Sequence, residues 1–315
     1  MDSIGEIIKE KIKKHPKDIF IPTGEVSYRL PTGSLGLDRV LGGGIPSGKI
    51  VQIFGREGSG KTTTVYHIIA EAQKADLPLV FFDIEGAYDE QYAKAIGIDT
   101  ENLNRINVST ISDDLDLFEL TKEFLVEGNA KIIVVDSITA IETNDAVGAH
   151  ARFISSGMKK ILFPIAKNDA IAVIVNQYRM KISTNPRYPS TPQAAGGLGL
   201  QHYTDIKIAM EQDNPATKER RKKPEFIEDT VVNAVVQKAK DYNVRPQGMA
   251  SFLITHGKGI NHISEIANIA KDLGILEQAG AYYKYDNKTV AQGYQGLLEK
   301  LEKDEEFRKE VLDAI

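Results

Sequence analysis

An eight-residue stretch, Gly55-Arg56-Glu57-Gly58-Ser59-Gly60-Lys61-Thr62, constrains what this chain can fold into. It follows an apolar run at 50–54 and precedes a segment with helical character at 61–75. Strand, glycine-rich turn and helix form the context in which this motif becomes a P-loop, whose backbone N–H groups surround phosphate oxygens at a helix N-terminus. A glycine-rich turn that only connects two elements is the alternative. We predict a nucleoside triphosphate site in which Lys61 reaches the outer phosphates, Thr62 is a ligand of Mg²⁺ and Thr63 lies beside them.

The composition is that of an ordinary globular protein. The chain has 315 residues, a formal net charge of −5 and a pI near 5.8, so a DNA-binding site would have to be a local patch. It has no cysteine, which excludes disulfides, cysteine-ligated zinc and thiol catalysis. No apolar run approaches the ~20 residues of a membrane span, and the N-terminus is too charged for a secretory signal. We expect a soluble, cytoplasmic protein with no membrane partner.

Short β-branched runs alternate with helical patterns over the first part of the chain. Strands are predicted at 50–54, 79–83, 131–136 and 170–176, and a helix at 149–168 that Pro164 should kink or divide. This alternation indicates an α/β fold with a mostly parallel central sheet and right-handed crossovers. Ligands of such sheets bind outside the carboxyl ends of the strands, where the P-loop and three polar residues fall: Glu85, Asp136 and Gln177.

These three residues suggest hydrolysis as well as nucleotide binding. Asp136 is predicted to hold Mg²⁺ as a Walker B acid, although an aspartate after a strand also commonly caps a helix. Glu85 is the candidate to orient or deprotonate the attacking water, with an ordinary surface acid as the alternative. Gln177 could contact the γ-phosphate as a switch element, or it could simply bond to backbone at a strand end.

The remaining segments suggest three regions. Residues 2–15 read as an amphipathic helix that packs on its own domain or on a neighbouring subunit. Residues 178–203 are rich in proline and glycine and read as a long functional loop, followed by strands at 204–211, 230–240 and 251–256, antiparallel at one edge of the sheet. The basic run Lys218–Lys223 is better explained as a solvated hairpin tip than as a duplex-binding element. A small module follows Gly259, so we divide the chain at 1–30, 31–258 and 259–315.

Beyond the P-loop, the chain resembles RecA-type homologous recombinases. The resemblance runs in order from about Thr32 to the C-terminus and is far more specific than the P-loop alone. It rests on Thr32-Gly33-Ser34-Leu35, Leu37-Asp38, Pro46-x-Gly48-x-Ile50-Val51, Phe82-Asp83-x-Glu85-x-Ala87-x-Asp89, Ile133-Val134-Val135-Asp136-Ser137, Asn176-Gln177-x-Arg179-Met180-Lys181-Ile182, Gly196-Gly197, Gly257-x-Gly259-Ile260-Asn261 and the 275–283 segment Ile-Leu-Glu-Gln-Ala-Gly-Ala-Tyr-Tyr.

The resemblance implies a RecA-like ATPase core, an N-terminal helix for subunit docking and a small α+β C-terminal domain. It also implies a role for each matched residue. Glu85 is similar to the catalytic glutamate, and Gln177 to the sensor that couples the γ-phosphate to DNA. Tyr92 matches an aromatic that stacks on adenine, and Asp89 a carboxylate that meets the adenine amine. Two further matches are lysines that reach the ATP of the neighbouring subunit, Lys238 and Lys240. Alternation along a strand puts both lysines on one face, with a solvated strand face as the alternative.

The family binds DNA through two loops. The first corresponds to residues 143–149, and is followed by Arg152, Ser155 and Lys159 on one face of the next helix. The second corresponds to residues 179–203, with an apolar wedge and glycine amides suited to phosphate contact. Its implied DNA-binding residues are Arg179, Met180, Lys181, Ile182, Gly196 and Gly197. The first loop is shorter than is usual in the family, and the middle of the second, 183–195, does not match it.

The expected function is therefore ATP-dependent recombination. The protein would form a helical homo-oligomeric filament on single-stranded DNA, pair it with homologous double-stranded DNA and hydrolyse ATP with Mg²⁺, in DNA repair and the SOS response. Single-strand-binding and loader proteins are candidate partners. Two other functions remain open: a hexameric RecA-fold helicase, which would form closed rings, and a regulatory RecA-fold ATPase, whose hydrolysis DNA would not stimulate.

Overall fold

The computed structural model describes residues 26–107, 117–141, 148–181, 191–194, 197–212 and 229–315. For 179–181, 191–194 and 197–198 it describes only the backbone. Several predicted features lie outside these ranges: the helix at 2–15, Ile182, Gly196, the basic run Lys218–Lys223 and most of the first predicted DNA loop.

A large sheet organises the described residues. The strands are β1 Arg29–Leu30, β2 Ile45–Pro46, β3 Lys49–Gly55, β4 Leu79–Asp83, β5 Arg105–Asn107, β6 Ile132–Asp136, β7 Ile171–Lys181, β8 Thr191–Ala194, β9 Ile206–Gln212, β10 Asp229–Ala239, β11 Met249–Thr255, β12 Gly259–Ile260, β13 Glu277–Ala279, β14 Tyr282–Tyr285 and β15 Lys288–Gln292. In the large sheet the order is β12-β11-β10-β9-β3-β7-β6-β4-β5, and β8 pairs with β7. The six strands from β9 to β5 are mutually parallel, which confirms the mostly parallel sheet.

Helices cover both faces of this sheet, and others belong to the C-terminal module. They are α1 Leu35–Val40, α2 Lys61–Lys74, α3 Glu90–Ile96, α4 Leu117–Val126, α5 Ala149–Lys167, α6 Gly197–Tyr203, α7 His262–Asp272, α8 Gly293–Lys303 and α9 Glu305–Ala314. Helix α2 packs on one face, where Val51 and Ile53 of β3 are buried, and α4 and α5 pack on the other, where Ile50 is buried. No helix in the described ranges is long and apolar enough to cross a membrane.

The structure changes one sequence prediction and refines two others. The predicted loop 178–203 contains the end of β7, strand β8 and helix α6, because its prolines and glycines concealed a β7–β8 pairing. Strands β9, β10 and β11 pair antiparallel with one another, as predicted, and β9 also pairs parallel with β3, so it joins the antiparallel part of the sheet to the parallel part. Helix α5 is not divided at Pro164. The proline removes one donor close to the helix end, and Asn168 closes that end by donating to the Pro164 carbonyl.

The C-terminal module is a small α+β domain. Strands β13, β14 and β15 form an antiparallel sheet against α7, α8 and α9. The turn Asp286-Asn287 joins β14 to β15 with φ values of 47° and 61°, the left-handed conformation that such hairpin turns require. A separate apolar core holds the module together: Ile266, Ala267, Ala270, Leu276, Tyr283, Leu297, Leu301, Phe307 and Val311.

Two buried side chains join this module to the ATPase core. Glu265 of α7 is 3% exposed, and its carboxylate accepts hydrogen bonds from Ser34 Oγ at 2.6 Å and from the backbone N–H groups of Leu35 and Gly36. It therefore satisfies free donors at the start of α1. His67 of α2 accepts a hydrogen bond from the Ile260 N–H at Nε2, over 2.9 Å. The helix that follows the P-loop is thus bonded directly to the domain junction.

We predict that His67 makes the stability of the fold depend on pH. Burial, with His262 and Lys74 adding to the effect, lowers the pKa of His67 from 6.5 to about 3. Between about pH 3 and pH 6.5, the unfolded chain therefore carries a proton on His67 that the folded chain does not bind. The contribution of neutral His67 to the free energy of unfolding is fully present above pH 6.5. As the pH falls towards 3, the free energy of unfolding decreases by up to about 1.4 kcal/mol per pH unit. In urea unfolding between pH 5 and 8, the wild type should lose stability more steeply than His67→Gln, which keeps an acceptor for Ile260. Parallel curves for the two proteins would contradict this prediction, and His262→Gln is the control for the exposed neighbour.

Candidate active site

The P-loop connects β3 to α2, and its glycines are required by close packing. A Cβ on Gly55 would lie 2.3 Å from the Met210 carbonyl oxygen. Gly58 and Gly60 have φ values of 73° and 84°, and a Cβ on Gly60 would lie 2.6 Å from Ile254. The loop thus leads into the first turn of α2, whose backbone donors suit an anion.

Lys61 lies within this loop. It is 9% exposed, and its Nζ donates to the Arg56 carbonyl at 2.7 Å. Burial lowers the pKa of Lys61, and the charges of Asp136, Glu85 and Glu57 oppose that shift. A partly desolvated ammonium at this position is a strong partner for phosphate, because its charge is weakly screened.

Asp136 contacts the P-loop helix directly. Thr62 Oγ1 donates to Asp136 Oδ2 at 3.1 Å, and the cap of the following short 3-10 helix is Ser137, so Asp136 is not a helix cap here. Burial raises the pKa of Asp136 to about 6. The charge of Glu85 adds to the rise, and the hydrogen bond from Thr62 opposes it. A hydroxyl and a single carboxylate are the donor set with which Mg²⁺ binds beside phosphates and water, so these residues fit the metal.

Glu85 lies at the carboxyl end of β4 and joins two other elements. Its Oε1 accepts hydrogen bonds from Ser137 Oγ and, at 3.1 Å, from Gln177 Nε2. Ser137 also contacts the Thr139 hydroxyl at 2.7 Å, and the peptide bond between Asp136 and Ser137 is cis. The structure therefore brings Glu85, Asp136 and Gln177 to one edge of the sheet. Sequence reasoning did not assign Ser137 a role, although its hydroxyl directly follows the predicted Walker B acid in a segment that resembles the recombinase family.

Asp89 and Tyr92 lie beside α2. The Asp89 carboxylate caps α3 by accepting from the Tyr92 N–H at 3.0 Å. The Tyr92 hydroxyl is 2.8 Å from Thr63 Oγ1, just after the P-loop. Both residues are thus next to the nucleotide site, and their roles in adenine binding stay predictions.

Lys238 lies on β10, and Lys240 directly follows the last residue of that strand, Ala239. Lys238 Nζ donates to the Gln201 and Thr204 carbonyls at 2.6 and 2.7 Å, and Lys240 Nζ lies 2.9 Å from Asp205. Both lysines therefore hold the end of α6 within their own subunit. Burial, together with the charge of Lys240, lowers the pKa of Lys238.

The residues predicted to bind DNA are only partly described. On α5, Arg152 and Lys159 are exposed, whereas Ser155 is half-buried under α6, where a Cβ on Gly199 would lie 2.5 Å from the Ser155 Cβ. The backbone at Arg179, Met180 and Lys181 pairs with β8, and Gly197 begins α6. Their contacts with DNA stay predictions.

A mostly parallel sheet with a P-loop after β3, an acid at the end of β6 and a glutamate just beyond the end of β4 defines a P-loop ATPase with a RecA-like core. Comparison with known proteins agrees. The family model described as RecA N-terminal domain matches residues 13–261, and the one described as RecA C-terminal domain matches residues 264–315. The chain therefore belongs to the RecA family, whose members are homologous recombinases and DNA-dependent ATPases.

Curated relatives support this assignment over most of the chain. The chain is 36% identical to Protein RecA of Wolbachia sp. subsp. Brugia malayi over 293 residues, which cover 90% of this chain and 79% of the relative. It is 34% identical to Protein RecA of Chloroherpeton thalassium, over 87% of this chain and 76% of that protein. For Protein RecA of Aquifex aeolicus the identity is 33%, over 90% of this chain and 81% of the relative.

Proposed function

We propose that this protein forms an ATP-bridged helical filament on single-stranded DNA in the cytoplasm, pairs that strand with homologous duplex and promotes strand exchange. The observation that carries the proposal is the contact between Glu85 and Gln177. It joins the candidate catalytic acid to strand β7, which continues into the segment expected to bind DNA. We assign residues 1–30 to subunit docking, 31–258 to the ATPase core and 259–315 to duplex capture. Single-strand-binding and loader proteins are the partners we propose to test first.

ATP and Mg²⁺ are the proposed ligands of the P-loop edge. Thr62 and Asp136 would hold the metal, which supplies charge stabilisation to the phosphate oxygens when bound. Lys61 contributes a second positive charge at the outer phosphates. Glu85 orients the attacking water and accepts its proton, and its bond from Ser137 holds the carboxylate at the edge of the sheet.

Gln177 is the proposed relay between nucleotide and DNA. Its amide donates to Glu85 at 3.1 Å, and only one residue separates it from Arg179 on the same strand. If the Gln177 amide leaves the Glu85 carboxylate and donates to the γ-phosphate instead, the end of β7 shifts, and the segment that follows β7 shifts with it. The strand thus offers a short mechanical path from the γ-phosphate to the DNA loop.

Lys238 and Lys240 are the proposed contribution from the neighbouring subunit. Within one subunit they donate to carbonyls at the end of α6 and lie beside Asp205. To reach the neighbour's ATP they must release those carbonyls, so binding at the interface is coupled to helix α6, which forms the last part of the second DNA loop. Phosphate would also relieve the repulsion between the two ammonium groups.

Glu85→Gln should leave ATP binding close to the wild-type level and slow hydrolysis by about 10² to 10⁴-fold, because the amide cannot take a proton from water. Phosphate release with single-stranded DNA and equilibrium binding of a fluorescent ATP analogue measure the two quantities separately. Glu90→Gln is the matched control, since Glu90 is an exposed acid on α3 paired with Lys94. Turnover within twofold of the wild type would remove Glu85 from the catalytic role.

Electron microscopy of the protein with single-stranded DNA and a slowly hydrolysed ATP analogue tests the proposed assembly. Stretched helical filaments are the expected result. Closed rings would favour a hexameric helicase instead. Hydrolysis that DNA does not stimulate, without ordered assemblies, would favour a regulatory ATPase.

A further inference from the structure

The segment between β4 and α3, residues 84–89, carries two of the proposed nucleotide-site residues, Glu85 and Asp89. Its backbone is anchored at several points. The Ile84 and Glu85 N–H groups donate to the Asp136 carbonyl, and the Asp89 N–H donates to the Tyr66 hydroxyl at 3.2 Å. Its middle residues Glu85, Gly86 and Ala87 are exposed, so the position of Glu85 depends on few contacts.

Arg105, on the edge strand β5, contacts this segment in two ways. Its Nη1 lies 3.1 Å from Asp83 Oδ2, and the other oxygen of Asp83 accepts from the Ala87 N–H at 3.2 Å. Its guanidinium carbon lies 4.4 Å from the centroid of the Tyr88 ring. The Arg105 side chain therefore contacts two residues that position the segment, Asp83 by an ion pair and Tyr88 through its ring.

Both contacts of Arg105 are made to residues whose displacement would affect their neighbours. The Asp83 side chain is 4% exposed, so without Arg105 a buried carboxylate would be left without its cation. The Tyr88 ring packs against Phe81 and Tyr66, and Tyr66 packs against Tyr92 with 5.9 Å between ring centroids. Movement of Tyr88 would consequently disturb both Asp89, its neighbour in sequence, and Tyr92.

We propose that Arg105 is a positioning residue for ATP binding and hydrolysis, which holds the 84–89 segment so that Glu85 and Asp89 meet the nucleotide. The inference rests on the proposed function of that site. Arginine suits the task because a planar guanidinium can pair with a carboxylate and stack on an aromatic ring at the same time, whereas lysine provides only a point charge. The Asp83 contact supports Glu85 and hence turnover, and the Tyr88 contact supports Asp89 and hence nucleotide affinity.

The two contacts can be separated by substitution. Arg105→Met removes both and should lower kcat by roughly 10 to 100-fold while raising the KM for ATP, because small displacements of a catalytic group are costly. Arg105→Lys keeps the charge beside Asp83 and should keep kcat within about threefold, while raising KM and weakening binding of the N-methylanthraniloyl-ATP probe by about fivefold. Tyr88→Leu should reproduce the lysine variant, and the pair Arg105→Lys with Tyr88→Leu should be no worse than either alone.

A matched control and a stability measurement complete the test. Lys94→Met removes an exposed cation from α3, whose partner is Glu90, and should change neither kcat nor probe affinity. Should Arg105→Met fail to fold by circular dichroism, Arg105→Lys and Tyr88→Leu decide the matter alone. Folded variants with wild-type kcat, KM and probe affinity, or the same change in kcat and KM for lysine and methionine, would overturn the proposal. The proposed site itself fails if Glu85→Gln remains active, which none of these variants measures, so the two failures are distinguishable.

Discussion

Replacing Lys61 with alanine should abolish measurable DNA-stimulated ATP hydrolysis, with a loss of at least about 10² to 10³-fold, the usual effect of removing one preorganised charge from a transition state. The substitution also removes the donor to the Arg56 carbonyl at 2.7 Å, so the loop loses an internal bond as well as its cation. Phosphate release in the presence of single-stranded DNA measures the loss, and binding of a fluorescent ATP analogue measures the accompanying fall in affinity.

The same variant should not unfold the protein. Burial lowers the pKa of Lys61, which means that the folded state holds this ammonium at a cost. The thermal midpoint of Lys61→Ala should therefore stay at or above that of the wild type. Lys74→Ala is the control, because Lys74 lies exposed at the end of the same helix and pairs only with Glu71 among the described ion pairs. Intact hydrolysis by Lys61→Ala would refute the P-loop assignment.

The sequence allowed us to predict which residues meet at the carboxyl ends of the strands, because that prediction does not require the order of the strands in the sheet. The runs before Gly55, Glu85, Asp136 and Gln177 are mostly apolar, which is typical of strands buried on both faces. All such strands in a parallel sheet end at one edge, so the polar residues that follow them had to meet there. The contacts of Glu85 with Ser137 and Gln177 are the result.

Other parts of the site could not be predicted, since they depend on pairings between distant segments. Arg105 belongs to no motif, and its role becomes visible only when β5 pairs with β4 beside Asp83. Glu265 lies 231 residues after Ser34, whose hydroxyl it binds, and no local pattern announces that contact. In the 178–203 segment, proline and glycine gave the signal of a loop, although β8 and α6 form there by packing against β7 and α5.

We propose that Lys238 and Lys240 connect this edge to the filament, so their joint replacement by alanine should prevent assembly. If each subunit completes its neighbour's ATP site, the double variant should form no filaments with single-stranded DNA and a slowly hydrolysed ATP analogue. It should also lose DNA-stimulated hydrolysis by about 10³ to 10⁵-fold, the range known for a cation supplied in trans to a transferring phosphate. Electron microscopy and phosphate release measure the two effects. The variant Lys238→Gln with Lys240→Gln keeps donors for the α6 carbonyls but no charge, so it should preserve the fold and still fail to assemble.

Mixing two inactive proteins distinguishes a site shared between subunits from one built within a single subunit. Lys61→Ala retains both lysines, and the lysine double variant retains its P-loop. In an equal mixture, random head-to-tail contacts would place an intact P-loop against intact lysines at about a quarter of the interfaces, and hydrolysis should return to a corresponding fraction of the wild type. Lys238 donates to the Gln201 and Thr204 carbonyls at 2.6 and 2.7 Å, so in the proposed shared site ATP binding would have to release it from α6. A mixture as inactive as its components, with the double variant still forming filaments, would assign the lysines to α6 alone.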